Sequence, residues 1–186
     1  MDRLDRMLAL TRTHVPGARF ATKADSALMR GLATLVRPFN AEFATRYVTV
    51  MGDTVWLPRP VDEWNRDDLA GILAHELVHM LDQQRYGVAF YASYGFPPMG
   101  RTTRAHWERR AYAVDLLVAR ERGGTAAVHR VVSRLVPLFA GPAYGYMWAG
   151  EAAASAFLRP IVDGVLSGRL DTEAPYDAIL ATWRET

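Results

Sequence analysis

Along residues 65–87 apolar side chains recur at helical spacing: Leu69, Leu73, Leu77, Met80 and Leu81 make one stripe, and Ile72, His75, Glu76, His79 and Gln83 make another. The pattern predicts a helix that is apolar on one side and chemically equipped on the other. Asn65 is a good N-cap, with Asp68 three residues on in a variant of the capping box, and Gly87 supplies the stop. Upstream the period shortens. Arg46-Tyr47-Val48-Thr49-Val50-Met51 and Thr54-Val55-Trp56-Leu57 flank the turn signal Gly52-Asp53, before Pro58 and Pro60 end the run. These segments predict a β-hairpin or a pair of short edge strands.

Helical patterns fill most of the remainder. Residues 1–20 hold a short helix and a loop at Val15-Pro16-Gly17, and residues 23–36 a second helix, with Leu28, Leu32, Leu35 and Val36 at helical spacing and Pro38 beyond its end. Residues 88–102, aromatic and rich in Gly and Pro, read as an irregular loop that lines a cleft or packs beneath the central helix. A helix from residue 102 or 103 buries Trp107, Ala111, Val114, Leu117 and Val118 and ends at Gly123-Gly124. Three more follow: residues 125–139, residues 144–165 with a bend or break at Pro160, and a short amphipathic closing helix with Pro175 in its first turn. No repeat, linker or low-complexity tract interrupts them. The expected fold is α+β, mostly helical, with a small hairpin or sheet before the central helix, in one domain over residues 1–186.

Composition narrows the chemistry. Half of the 186 residues are apolar and 23% charged, as in a soluble globular protein with a core of its own. Cysteine is absent, which removes disulfides, thiolate zinc sites and thiol nucleophiles and leaves His, Asp and Glu as the strong metal ligands. Formal net charge is +2, and Lys23 is the only lysine. The arginines are scattered; the densest groups, Arg101, Arg104, Arg109 and Arg110 and then Arg120 and Arg122, fit solvated helix faces better than a nucleic-acid footprint. No apolar run approaches a membrane span, and Met1-Asp2-Arg3-Leu4-Asp5-Arg6 lacks a secretory core. The expected location is therefore cytoplasmic, with non-classical export left open.

On the central helix His75-Glu76-Leu77-Val78-His79 reads H-E-x-x-H. Residues four apart lie one above the other on a helix, so both imidazoles can reach a single ion. Zn²⁺ favours nitrogen ligands in a tetrahedral set, with one position kept for water in a catalytic site. The Glu76 carboxylate stands beside the first imidazole, placed to take a proton from that water. Chance alone yields such a motif somewhere in a chain of this composition with a probability of roughly half a percent.

A catalytic zinc site needs a third protein ligand. The metzincin continuation is absent, because Asp82 and Arg85 stand where its Gly and His belong. Glu108, 29 residues after His79, follows at a distance that lets the chain finish one helix, cross a loop and return on a second. It sits in an apolar stripe between Trp107 and Ala111, where a carboxylate is costly unless it meets a cation. The alternatives are an ion pair of Glu108 with Arg104 or Arg109, and Glu151 or His106 as the third ligand.

H-E-L-V-H on one helix and E-x-x-A-Y on the next (Glu108, Ala111, Tyr112) resemble the gluzincin branch of zinc metallopeptidases, and in particular small bacterial zincin-like domains. The resemblance covers about residues 45–118. It implies His75, His79 and Glu108 as zinc ligands, Glu76 as general base, and a zincin-like fold. Thermolysin-like relatives carry an Asp four residues after the ligand Glu, where this chain has Tyr112; Asp115 or Asp82 is the substitute available to orient a ligand histidine.

The expected activity is zinc-dependent hydrolysis of a peptide or protein substrate, a metal-bound water being activated by Glu76. Tyr112, Tyr144, Tyr146, His106 and His129 are the possible oxyanion donors, and the strand at Thr54–Leu57 is a possible edge for an extended peptide. Two alternatives stand beside it. One is a catalytically inactive zincin-like binding or regulatory module, and the other a zincin hydrolase acting as a toxin, a phage-associated enzyme or a DNA-associated protease.

Overall fold

The computed structural model describes residues 1–37, 41–95, 100–142 and 146–185. Its elements are α1 (Arg3–His14), β1 (Arg19–Thr22), α2 (Ala27–Val36), β2 (Thr49–Met51), β3 (Thr54–Leu57), α3 (Arg66–Tyr86), α4 (Val88–Gly95), α5 (Gly100–Ala140), α6 (Glu151–Leu166) and α7 (Tyr176–Arg184). The fold is mostly helical with one small sheet. Among the described residues no helix is long and apolar enough to cross a membrane.

The central helix α3 begins and ends where its capping residues stand. Asn65 Oδ1 accepts the backbone N–H groups of Asp67 (2.8 Å) and Asp68 (3.4 Å), satisfying two donors that the first turn leaves free. Gly87, at φ 52°, donates its N–H to the Gln83 carbonyl at 2.8 Å and closes the other end. The division into an apolar and a polar face does not carry through to burial. α1, α4, α5 and β2 all pack on this helix, so Glu76, His79, Asp82 and Gln83 are buried together with Leu69, Leu73, Leu77 and Met80.

The sheet has three strands in the order β1-β3-β2. β2 and β3 form the antiparallel hairpin, Thr49 opposite Trp56 and Met51 opposite Thr54, around Gly52 at φ 61°. β1 pairs parallel to β3 from Arg19–Thr54 to Thr22–Leu57. β3 is therefore central, not the edge expected from sequence, and its Val55 and Leu57 are fully buried. The two edges belong to β1 and β2.

Other expectations shift as well. The 88–102 stretch is helical over α4, and its residues 96–99, like Pro38 and Tyr144, lie outside the described residues. α2 starts at Ala27 after a 3₁₀ turn at Lys23–Asp25. The leucine stripe expected to be its core face is largely uncovered: Leu28 is 62% and Leu35 73% exposed, and Met29 is the residue it buries. α6 begins at Glu151 and runs on through Pro160 without a break. α5 changes direction where the sequence has its two glycines, at Gly123 and Gly124; Gly124 has φ 61°, a backbone conformation that favours glycine.

The main core gathers side chains of α1, β3, α3, the first half of α5 and α7, and a smaller cluster joins α5 to α6 through Leu135, Phe139 and Leu158. One ion pair ties α3 to α5 inside this packing. Arg110 Nε donates to Asp82 Oδ2 at 3.0 Å, with the Asp82 side chain 2% and that of Arg110 39% exposed. Removing one member of such a pair strands the other. Arg110→Met should lower the unfolding free energy by about 3 kcal/mol, the low end for a broken buried pair because the guanidinium keeps some access to water. Part of that loss should return in Asp82→Asn/Arg110→Met, measured by urea unfolding.

Candidate metal centre

One helical turn on α3 separates His75 from His79, and the packing of α5 across α3 brings Glu108 against both. Glu108 Oε2 lies 3.9 Å from His75 Nε2 and 3.8 Å from His79 Nε2, and one ligand atom from each of the three residues falls within 4.8 Å of the others. Those separations are too long for hydrogen bonds. The two separations from Glu108 are within about half an ångström of the spacing between ligand atoms that share a tetrahedral Zn²⁺, roughly 3.3–3.5 Å for bonds near 2.0–2.1 Å. Two imidazole nitrogens and one carboxylate are a donor set that suits Zn²⁺.

Each ligand candidate is held differently. His75 Nδ1 meets Asp115 Oδ2 at 2.6 Å, which leaves Nε2 to face Glu108, and the Tyr112 ring stands edge-on to the imidazole at 4.8 Å. Glu108 is 3% exposed; its other oxygen, Oε1, accepts the Tyr94 hydroxyl at 2.6 Å and lies 3.6 Å from Arg104 Nε. His79 is packed by rings, Tyr94 at 5.6 Å and Phe90 at 6.2 Å, and among the described residues its buried Nδ1 has no hydrogen-bond partner.

The electrostatics favour positive charge at this point. Burial alone would raise the Glu108 carboxyl, but His79, Arg104 and His75 hold it down at about 2. Burial likewise works against a charged His75, yet the charge and hydrogen bond of Asp115, with Glu76 and Glu108, carry it up to about 9. Burial pushes the Glu76 carboxyl above its ordinary value against the opposing pull of His75 and His79. Acidic groups thus outweigh the desolvation of a cation here.

His75, Glu76, His79, Arg104 and Glu108 line a cleft of about 200 Å³. One wall is α4, with Phe90, Tyr91 and Tyr94; the facing wall is Phe43, Tyr47 and residues 48–51, which include the edge strand β2. Gln83 braces both walls, its Oε1 accepting the Gly52 N–H at 2.9 Å and the Tyr91 hydroxyl at 2.6 Å. Behind the second wall lies Lys23, 2% exposed, donating through Nζ to the carbonyls of Phe43 (2.7 Å) and Tyr47 (2.8 Å) and sitting 3.8 Å from the Phe43 ring centre. Burial lowers this ammonium to about 8, against the attraction of Glu76.

The remaining sequence candidates fall elsewhere. Glu151 is an exposed first-turn residue of α6, an ordinary place for an acid beside the positive end of a helix dipole. His106 is exposed and stands edge-on to Phe157 of α6 at 5.0 Å, His129 is exposed on the far half of α5, and Tyr146 is 55% exposed. Asp82 serves Arg110, so Asp115 alone of the two carries out the expected contact with a histidine. Tyr94 was not singled out from sequence, and Arg104 only as an ion-pair partner of Glu108, from which its Nε lies 3.6 Å. Their available signals were the spacing of Phe90 and Tyr94, and of Arg104 and Glu108, each four residues apart on a helix.

Comparison with models of known protein families, with curated proteins and with solved structures returns no match.

The buried lysine makes a pH signature. Its folded value of about 8 lies below the 10.5 of a free side chain, so between these values the unfolded chain holds a proton that the folded one has lost. This group therefore makes stability rise with pH across that window, while below about 8 both states are protonated and its contribution is constant. As Lys23 is the only lysine, its ¹³Cε resonance should titrate near 8 in the folded protein, and the rise in urea midpoint between pH 8 and 10 should shrink in Lys23→Met.

Proposed function

We propose that the chain is a zincin-like metallopeptidase of the gluzincin type, with His75, His79 and Glu108 as zinc ligands and Glu76 as general base. The observation that carries this reading is the convergence of two imidazoles from α3 and one buried carboxylate from α5 within 4.8 Å, with the Glu76 carboxylate beside them. When bound there, Zn²⁺ supplies Lewis acidity, polarising a carbonyl and lowering the pKa of water toward neutrality.

The chain's own residues do the rest. Glu76, raised by burial, takes the proton from the attacking water and delivers it to the leaving amine. Asp115 fixes the orientation of the His75 ring through Nδ1, and Tyr94 with Arg104 occupies the outward oxygen of Glu108, so that Oε2 is the one directed at the histidines. A donor for the developing oxyanion comes from the cleft lining, where Arg104 stands and where Tyr146, His106 and His129 do not, the Tyr94 hydroxyl proton being committed to Glu108. An extended substrate can pair along the free edge of β2, which lines the same cleft.

Purified protein is expected to bind one equivalent of zinc by metal analysis. His75→Ala and Glu108→Ala should lose it, Glu151→Ala should keep it, and Asp115→Asn should weaken it by about 10–100-fold in competition with a chelator. Glu76→Gln should retain the metal but hydrolyse a fluorescent casein at least about 100-fold more slowly, as expected when a general base is removed. Full peptidase activity in Glu76→Gln, or no zinc in the wild type, would overturn the assignment.

A further inference from the structure

A second depression, of about 580 Å³, lies on the other side of His75. The Gly123–Gly124 kink makes it: α5 changes direction there, and both halves of the helix, together with the first turns of α3, form its walls. Its floor is apolar, made by Ile72, Val118, Val131, Leu135 and Leu138. Its inner end is Tyr112 and Asp115, which both touch His75. His75 thus divides two compartments, with Nδ1 toward Asp115 in the groove and Nε2 toward Glu108 in the metal cleft.

Charge at this groove is unevenly matched. Three arginines line it: Arg122, Arg130 and Arg134. Of the acids, Asp67 accepts Arg3 Nη1 through both oxygens at 2.9 Å and Asp115 is engaged by His75. Among the described lining residues only Asp68 remains to oppose the arginines. Arg122 lies over the Trp183 ring, whereas Arg130 and Arg134 are exposed and among the described residues have no ion-pair partner. Four residues apart on one helix, these two stand about 6 Å apart along its axis. Side chains two apart on an extended peptide stand about 6.6 Å apart on one face, with the intervening side chain on the other.

We propose that this groove binds an acidic, apolar-alternating segment of polypeptide, in which carboxylates two residues apart meet Arg130 and Arg134 and the residue between them rests on the apolar floor. It is the part of a protein substrate that flanks the bond held in the metal cleft, and in this respect the proposal rests on the peptidase reading above. Arginine forms charge-assisted, often bidentate bonds to carboxylates, and the floor removes apolar surface from water; an acidic segment with alternating apolar residues uses both. A nucleic-acid backbone would use the arginines and leave the floor unoccupied.

The test uses the full chain carrying Glu76→Gln, with and without zinc, and a fluorescein-labelled Glu-Leu-Glu-Leu-Glu peptide followed by anisotropy. Arg130→Ala/Arg134→Ala should weaken binding at least 10-fold, and Arg130→Glu/Arg134→Glu should abolish it and create binding of Lys-Leu-Lys-Leu-Lys. Arg46→Ala, an exposed arginine at a distance in the chain, should change nothing. With the active protein, the double alanine variant should raise KM for a substrate flanked by Glu-Leu-Glu while leaving kcat, and a neutral substrate, unchanged. Peptide binding that is absent, or indifferent to both arginines, overturns the proposal, as does tighter binding of oligothymidylate lost in the same variant. Arginine-dependent binding of the peptide by a protein that neither holds zinc nor hydrolyses peptides would leave the groove standing and remove the peptidase reading alone.

Discussion

A carboxylate 3% exposed in the seam between α3 and α5 is the constraint around which the interior is arranged. A buried ionised group is stable only with counter-charge and hydrogen bonds. Glu108 draws these from every direction: His75 and His79 across the seam, Arg104 one turn back on its own helix, and the Tyr94 hydroxyl from α4. The axial position of α5 against α3 then follows, since sliding either helix by a turn would take Glu108 away from at least one of the two histidines. The Asp82–Arg110 pair two turns farther from the His75 end of α3 fixes the same register with a second charge.

Polar groups buried around the cleft have positional tasks of the same kind. Gln83 joins the β2–β3 turn to α4, and Lys23 gathers the carbonyls of Phe43 and Tyr47. A lysine is an expensive choice for bonding two carbonyls, because its burial lowers the ammonium's pKa. It is nevertheless a compact donor with several N–H groups on a long stem, able to reach both carbonyls and the Phe43 face at once.

What could be read from sequence was whatever depends on local spacing. The four-residue repeat of His75 and His79, the Asn65 and Gly87 caps and the glycine break at residues 123 and 124 are all encoded within a few residues, and each reappears in the fold. Glu108 was legible for a different reason, as a charge inside an apolar stripe. The features that escaped depend on distant partners. β1 is four residues, Arg19-Phe20-Ala21-Thr22, too short to stand out in the sequence, and pairs with β3 along a parallel edge, which also turned β3 from an edge into the centre. α4 was obscured by the glycine and prolines that follow it, although Phe90 and Tyr94 already had helical spacing. The apolar stripe of α2 misled because its periodicity is present while, among the described residues, Leu28 and Leu35 stay exposed.

The two histidines are alike in sequence and differ in support, and this difference assigns a role to α4. Ligating imidazoles ordinarily donate their second nitrogen to an oxygen, which sets both tautomer and orientation. His75 has that oxygen in Asp115, carried on α5 seven residues after Glu108, so two of the three proposed ligands are tied to one helix. His79 has none among the described residues and is instead confined by the Phe90 and Tyr94 rings. Tyr94 also bonds Glu108, so one side chain of α4 fixes the position of the ligand pair that Asp115 does not reach. The aromatic helix after the H-E-x-x-H helix is therefore more than a cleft wall: movement of α4 would loosen His79 and Glu108 together while leaving His75 in place.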